Sequence, residues 1–387
     1  MGESNKVVRD MVGKILNDIA DGIETGEFGK KVKVGITTEG NEHGVENLVR
    51  GAEMASKVAK GYEIVLIGPK VDTDLEIAEA EGEEGVHKKM EELLDSGYID
   101  ACVTMHYTFP IGVSTVGRVI TPAMGKEMIL ATTTGTSVPH RAAAMVKNAI
   151  YGIITAKAIG IENPTVGLLN VDGVRTVERS LRQLSENGYE INFAESMRAD
   201  GGVVMRGNDL LTGTPDVMVQ DTLTGNILMK VFSSYATGGS YEAAGFGYGP
   251  GIGEDYDRTI LILSRASGAP VAAGALQFAG ELAIGNVKGI AKAEFAAAKK
   301  AGLDAILDGL MHAEKPKEEE KVETPPAEIV TGEIPGIDVL DLEDAVVAVW
   351  KVGIYAESGM GCTGPVVLVN EEKIEAATEA IKAAGYL

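Results

Sequence analysis

Six short runs rich in Val, Ile and Leu limit most strongly what this chain can become: KVKVGIT (31–37), EIVLIG (63–68), DACVTM (100–105), TVGLLNV (165–171), DVMVQD (216–221) and RTILIL (258–263). Helical stretches and glycines separate them. Unbroken apolar runs are characteristic of strands buried on both faces, and such strands alternating with helices predict a parallel sheet covered above and below. The expected body is therefore a three-layer α/β/α fold with a mainly parallel sheet over residues 31–312. Apolar residues make up 45% of the chain and aromatics 5%, so Val, Ile, Leu, Ala and Met must fill its core. In an open parallel sheet, ligands sit at the loops after the strands' carboxyl ends. Here these loops are TTEGNEHG (37–44), HYTFPIG (106–112), VDGVR (171–175), DTLTGN (221–226) and SRASGAP (264–270).

The flanks read differently. Val7, Val8, Met11, Ile15, Ile19 and Ile23 recur at helical spacing, so residues 1–30 are assigned to an N-terminal amphipathic helix over 4–25, a candidate subunit contact. From 313 to 326 the chain is charged and proline-bearing with no apolar period, which predicts a linker. Residues 327–387 then form a small C-terminal α+β domain, with an apolar strand near 346–356, a second at 366–369, and a closing helix capped by Asn370 and ending at Gly385.

With 57 acidic against 35 basic residues, the net charge of −22 repels nucleic-acid backbones and anionic membranes. No window is apolar enough for a membrane span or a signal peptide, so the expected location is the cytoplasm. The two cysteines, Cys102 and Cys362, are expected as free thiols there. The five histidines are scattered and no CxxC or Walker string occurs, so no metal and no cofactor is expected. The glycine string GFGYGPGIG (245–253) lies in the wrong context for a dinucleotide loop and is expected to be a mobile loop over a substrate channel.

Three groups of residues suit chemistry. Thr224, Gly225 and Asn226 in DTLTGN follow a strand and open a helix that carries Lys230. The amides at such a helix start would hold phosphate, unless Thr224 is only the N-cap and Lys230 a solvated side chain. His140 and Arg141, after SVP, supply a base and an anion clamp, or are structural. Cys362 sits in ESGMGCTGP (357–365), where Gly359, Gly361 and Gly364 leave the backbone free to aim N–H groups at one point. That is either a nucleophile's setting or a surface cysteine in a glycine-rich turn, whereas Cys102 falls in an apolar run and reads as buried.

The strings NPTVGLLNVDG (163–173), GTPDVMVQDTLTGNILMK (213–230) and SGAPVAAGALQ (267–277) resemble the acyl-carrier-protein:phosphate acyltransferase family of phospholipid synthesis, over about residues 31–312. The resemblance implies a fold shared with phosphotransacetylases and formation of acyl phosphate from an acyl thioester and inorganic phosphate. GALQFAGE departs from the Asn-Gly-Pro string of that family. The whole chain resembles the family of smaller component C subunits of the glycine/sarcosine/betaine reductase complex, in which such a core precedes a tail with a cysteine in a glycine-rich string. That implies an acetyl transferase acting within an oxidoreductase complex of amino-acid fermentation, with Cys362 handling the acetyl group. The implied partners are the larger component C subunit and selenoprotein A in a hetero-oligomer. Two other readings stay open: a stand-alone acyl-thioester:phosphate acyltransferase, and a noncatalytic scaffold for the larger subunit.

Overall fold

The computed structural model describes residues 31–199, 201–312, 322–339, 341–361 and 364–387. The helix expected over 4–25, most of the linker and Cys362 lie outside the described residues. Residues 322–326 have no regular structure.

The main body runs β1 (Val32–Thr37), α1 (Val45–Ser56), β2 (Tyr62–Gly68), β3 (Glu76–Glu79), α2 (Gly82–Asp95), β4 (Ala101–Met105), β5 (Ser114–Ile120), β6 (Glu127–Gly135) and α3 (Arg141–Ala158). It continues through β7 (Thr165–Leu169), α4 (Val174–Glu186), β8 (Asn192–Phe193), β9 (Val204–Met205), α5 (Gly207–Thr212), β10 (Val217–Val219), α6 (Thr222–Ser234), β11 (Tyr248–Ile252), β12 (Ile260–Leu263), α7 (Ala269–Ile284), α8 (Val287–Lys300) and α9 (Leu303–Met311). All twelve strands join one sheet, in the order β3-β2-β1-β4-β12-β11-β5-β6-β10-β7-β8 with β9 beside β7. Alternate strand residues face opposite ways, as their period of two requires. Ile64, Leu66 and Val103 pack toward α1, α3 and α7 on one face, while Val65, Ile67 and Cys102 meet Val86 and Met90 of α2 on the other. Helices thus cover both faces, and the fold is the three-layer, mainly parallel α/β class.

The sheet has two directions. β1, β2, β3, β4 and β12 are mutually parallel, as are β6, β10, β7, β8 and β9. Between the groups, β12 to β11, β11 to β5 and β5 to β6 are all antiparallel. Three reversals leave the two halves running oppositely. The loops after β1, β4 and β12 therefore lie at one edge, and those after β6, β7 and β10 at the other, rather than all together as a single parallel sheet would place them. The segment after β4 crosses one face to reach the far edge, where the Gly112 amide donates to the Thr136 carbonyl.

The string GFGYGPGIG is corrected by this arrangement. It contains β11, a buried strand in the middle of the sheet, and not a mobile loop. Its glycines answer to close packing: a Cβ on Gly249 would lie 2.5 Å from the Leu261 backbone, and one on Gly251 would lie 2.4 Å from the Phe109 ring.

The C-terminal part has its own sheet, β13 (Gly332–Pro335), β15 (Gly364–Val369) and β14 (Ala356–Gly361) in that order, backed by α10 (Leu342–Lys351) and α11 (Ile374–Ala383). Ile334, Val346, Val349, Val367, Val369 and Ile381 form a separate cluster there. The expected strand at 346–356 is largely helix. Leu342, Ala345, Val346 and Val349 are its buried residues, a spacing of three and four rather than two. Asn370 caps as expected, its side chain accepting from the Glu372 amide at 3.0 Å.

Candidate functional site

A cleft of about 650 Å³ opens on the face carrying α2 and α6. Tyr248 of β11, Ile262 and Leu263 of β12 and Thr134 and Gly135 of β6 line its floor, and the crossing segment from His106 to Phe109 forms one wall. Asn226 and Lys230 of α6 form the other, while Ser264 and Arg265 stand at the rim. Two permanent cations line this cleft and no carboxylate does, in a chain where acids outnumber bases 57 to 35.

Lys230 is held in place from behind. Its Nζ reaches Glu242 Oε1 at 2.5 Å and Ser264 Oγ at 2.6 Å. Glu242 is 2% exposed, and Tyr248 Oη and Ser267 Oγ also donate to it at 2.8 and 2.9 Å. Burial and then the Glu242 charge push the Tyr248 hydroxyl well above its ordinary value, so it remains a donor. An ammonium has three donors. With two spent on Glu242 and Ser264, the third is left for the cleft. Arg265 donates from Nε to His106 Nε2 at 2.6 Å, which fixes the guanidinium at the rim and leaves its terminal N–H groups for a ligand. His106 holds a positive φ of 24°, rare for a residue with a side chain.

Beneath the floor, Thr115 Oγ1 lies 2.8 Å from the hydroxyls of both Thr133 and Thr134. Ser114 and Gln220, both fully buried, each retain a side-chain oxygen without a hydrogen-bond partner. Of these groups only Thr134 reaches the cleft, where it and Ser264 stand beside the two cations.

The residues singled out from the sequence divide. Asn226 and Lys230 line the cleft, but Thr224 and Gly225 do not. Helix α6 begins at Thr222, two residues earlier than expected, and its cap is Asp221. The Thr224 amide and hydroxyl both donate to that carboxylate, at 3.1 and 2.7 Å. The helix start is thus filled by the chain's own anion. Gly225 is a packing glycine, since a Cβ there would lie 1.9 Å from the Thr132 carbonyl oxygen. Its closeness to the strand lets α6 lie flat on β6.

His140 caps α3, its Nδ1 accepting from the Ala143 amide at 3.4 Å. Arg141 binds Asp221 at 2.9 Å and Asp172 at 3.5 Å, so the anions it clamps are side chains of neighbouring loops. Burial alone would raise the Asp221 carboxyl, but the two Thr224 bonds and Arg141 outweigh it and hold it below the usual range.

Cys362 lies outside the described residues, but the strands on either side of it are clear. Gly361 of β14 pairs with Gly364 of β15, and Met360 with Pro365. Gly359 and Gly361 are strand residues whose Cβ atoms would press on Leu368 and Val366, each at 2.9 Å, and of the three glycines only Gly364 has a left-handed φ, 122°. Pro365 and residues 336–339 share a smaller pocket of about 180 Å³ with Asn170, Asp172 and Arg175 of the β7–α4 loop. The hairpin end thus meets the same sheet edge as Arg141 and the start of α6. Cys102 is fully buried in β4, and burial pushes its thiol far up.

Sequence reasoning passed over His106, Ser264 and Arg265. A signal was present: each follows directly on an apolar strand, in a loop already marked as a carboxyl end.

The fold and site define a three-layer α/β protein with a cationic, carboxylate-free cleft, and the chain belongs to the family described as "Fatty acid synthesis protein", whose model matches residues 32–368. Within that class, it is 68% identical over 381 residues to the glycine/sarcosine/betaine reductase complex component C subunit alpha of Peptoclostridium acidaminophilum, covering 98% of this chain and 99% of that one. It is 28% identical over 242 residues to the phosphate acyltransferase of Thermotoga petrophila, covering 53% of this chain and 69% of that one. A branched-chain phosphotransacylase structure from Enterococcus faecalis aligns with 65% of this chain and 99% of its own, at 16% identity and a TM-score of 0.45. Among the described residues, no helix is long and apolar enough to cross a membrane.

Proposed function

We propose that this chain is the alpha subunit of component C in a glycine/sarcosine/betaine reductase complex, and that it forms acetyl phosphate from an acetyl thioester and inorganic phosphate. The observation that carries the reading is the cleft lined by Lys230, Arg265, His106, Ser264 and Asn226 without a carboxylate. The 68% identity to a protein of that name supports the assignment to the complex, and with it a hetero-oligomer containing the larger component C subunit and meeting selenoprotein A.

Cys362 carries the acetyl group as a thioester. Phosphate sits between Arg265 and the free N–H of Lys230, with Ser264 and Asn226 completing its hydrogen bonds. One phosphate oxygen attacks the acyl carbon, and the oxyanion that develops is stabilised by the same donors. As the C–O bond to phosphorus's oxygen forms, the C–S bond breaks. Sulfur leaves and takes the proton that phosphate releases, which gives acetyl phosphate and a free thiol. Asp221, the cap of α6, and Lys230 are nine residues apart, roughly 13 Å along the axis, so the C-terminal unit must move for the thiol to reach the phosphate.

Arsenate-dependent hydrolysis of acetyl phosphate by the assembled component C, joined to mass spectrometry of the chain, tests this. One acetyl group on Cys362, loss of turnover in Cys362→Ala and retention of turnover in Cys102→Ala are expected. Full turnover by Cys362→Ala would overturn the thiol's role. Cysteine-independent transfer to coenzyme A would favour a stand-alone acyltransferase instead.

A further inference from the structure

The two cations of the cleft are held in different ways. Lys230 is bonded to the buried Glu242, so its charge is partly offset. Among the described residues Arg265 pairs with no carboxylate, and its Nε–H goes to His106 Nε2 at 2.6 Å. A carboxylate could hold the same N–H, but it would cancel the charge that an incoming anion has to meet and would repel the anion itself. An imidazole lone pair holds the guanidinium and leaves its charge whole. Because arginine nitrogens only donate, Nε2 must accept, and the ring is therefore neutral with its proton on Nδ1.

The backbone is built around this contact. β4 and β12 are parallel neighbours with Met105 opposite Leu263, so His106 and Arg265, just beyond the two strand ends, emerge side by side. His106 takes a φ of 24°, short of the left-handed well at about 57°. A conformation this sparsely populated persists only where the chain on either side dictates it, and it marks functional positions. Here Met105 is buried at the end of β4, while Tyr107 donates from Oη to Glu91 at 2.9 Å and accepts from Arg258 at 3.1 Å. Arg265 is fixed at its own backbone, where the carbonyl accepts from the Glu42 amide at 3.0 Å.

We propose that His106 is a positioning residue for phosphate capture, a neutral tether that aims the Arg265 guanidinium without neutralising it; this rests on the reading of the cleft as the phosphate site. An arginine side chain free at the rim would sample many rotamers and would pay to order itself on binding. With Nε held, the terminal N–H groups stay turned to one place, ready for a bidentate contact with an oxyanion. Two properties of residue 106 then matter for phosphate: an accepting atom where Nε2 stands, and the absence of negative charge.

Arsenate saturation of acetyl phosphate hydrolysis by the assembled component C, beside thermal melts, tests the proposal. His106→Ala removes the lone pair, and KM for arsenate should rise about 10-fold while kcat changes little. His106→Gln places a neutral oxygen where Nε2 stands and should recover KM to within about 3-fold of the parent. His106→Glu has the same shape with a charge, and should be as weak as the alanine variant. In an Arg265→Gln background His106→Ala should raise KM no further, because nothing remains to be aimed. An unchanged KM in His106→Ala, a Gln variant as weak as Ala, a Glu variant as good as Gln, or additive effects with Arg265→Gln would each overturn the tether. A merely structural role would lower melting temperature and kcat in all three variants and leave KM alone. Should His106→Ala fail to fold, the comparison of Gln with Glu carries the test. Calorimetric titration with inorganic phosphate repeats the comparison without turnover, so it stands even if the acetyl chemistry is wrong; a parent that binds no phosphate overturns both the tether and the reading of the cleft.

Discussion

Arg265 shows how a cation can be costly to lose for binding and cheap to lose for folding. It is exposed, and its side chain donates to His106. Removing it leaves no buried group unpaired, so Arg265→Gln should change stability by no more than about 0.5 kcal/mol. A hydrogen bond to a charged group is worth about 1.5 to 3 kcal/mol, so phosphate use should weaken roughly 10- to 150-fold. An arsenate or phosphate saturation curve beside a thermal melt checks both halves; an unchanged KM for phosphate would remove Arg265 from the site. Lys230 is the opposite case, because its loss would strand the charge of Glu242 in the interior. Asn226 and Lys230 were readable from the strand–loop–helix pattern. Arg265 and His106 were not singled out, because a lone base after a strand gains meaning only when two distant strand ends are seen to meet.

At the scale of an element, α6 joins the two halves of the chemistry. Its start is held by Asp221, bonded to Thr224 and Arg141, and its second and third turns line the cleft. Because the Asp221 carboxyl is held below its ordinary value of about 3.9, the stability it contributes is present above that value and is lost as pH falls through the lowered folded value. Asp221→Asn keeps the cap but not the charge, so its melting temperature should fall less steeply than the parent's on acidification below about pH 4. Asp221→Ala should cost about 1 kcal/mol at neutral pH. Denaturation at several pH values decides it; parallel pH curves for parent and Asp221→Asn would show that the carboxylate has no such role. A helix after β10 carrying Lys230 was legible from the strand–loop–helix pattern, but its start was not, since DTLTGN offers both Asp221 and Thr224 as caps.

For the whole molecule, we propose two folding units, residues 31–312 and 327–387, joined by the charged segment 313–326. None of the three main-body core clusters shares a residue with the C-terminal cluster. Arg179 of α4 pairs with Asp341 at the start of α10 at 3.4 Å, with the Arg179 side chain 39% exposed. Such a pair contributes about 0 to 1 kcal/mol, so it adds little to holding the C-terminal unit against the β7–α4 loop. Removing residues 313–387 should leave a soluble core that still binds phosphate but makes no acetyl phosphate, and protease should cut first within 313–326. Full turnover by the shortened chain would end the thiol mechanism.

Periodicity alone determined the layers. Apolar runs of five to seven residues have few places to go other than the middle of a covered sheet, and β1, β2, β4, β7, β10 and β12 were all visible in that way. β5 and β6 were not, because STVGRVI and EMILATTTG carry hydroxyls among their apolar residues, and those of Thr115, Thr133 and Thr134 find their partners only across the hairpin. Nor was β11, whose glycines look like a loop until Leu261 and Phe109 are seen to need the space. Those three strands reverse the sheet, and so they decide which loops share an edge. Strand direction depends on pairing between distant segments, which no local pattern records. The chain's own residues could therefore name the loops that line the cleft, while only the tertiary structure could bring Asn226 and Lys230 to face His106, Ser264 and Arg265 across it.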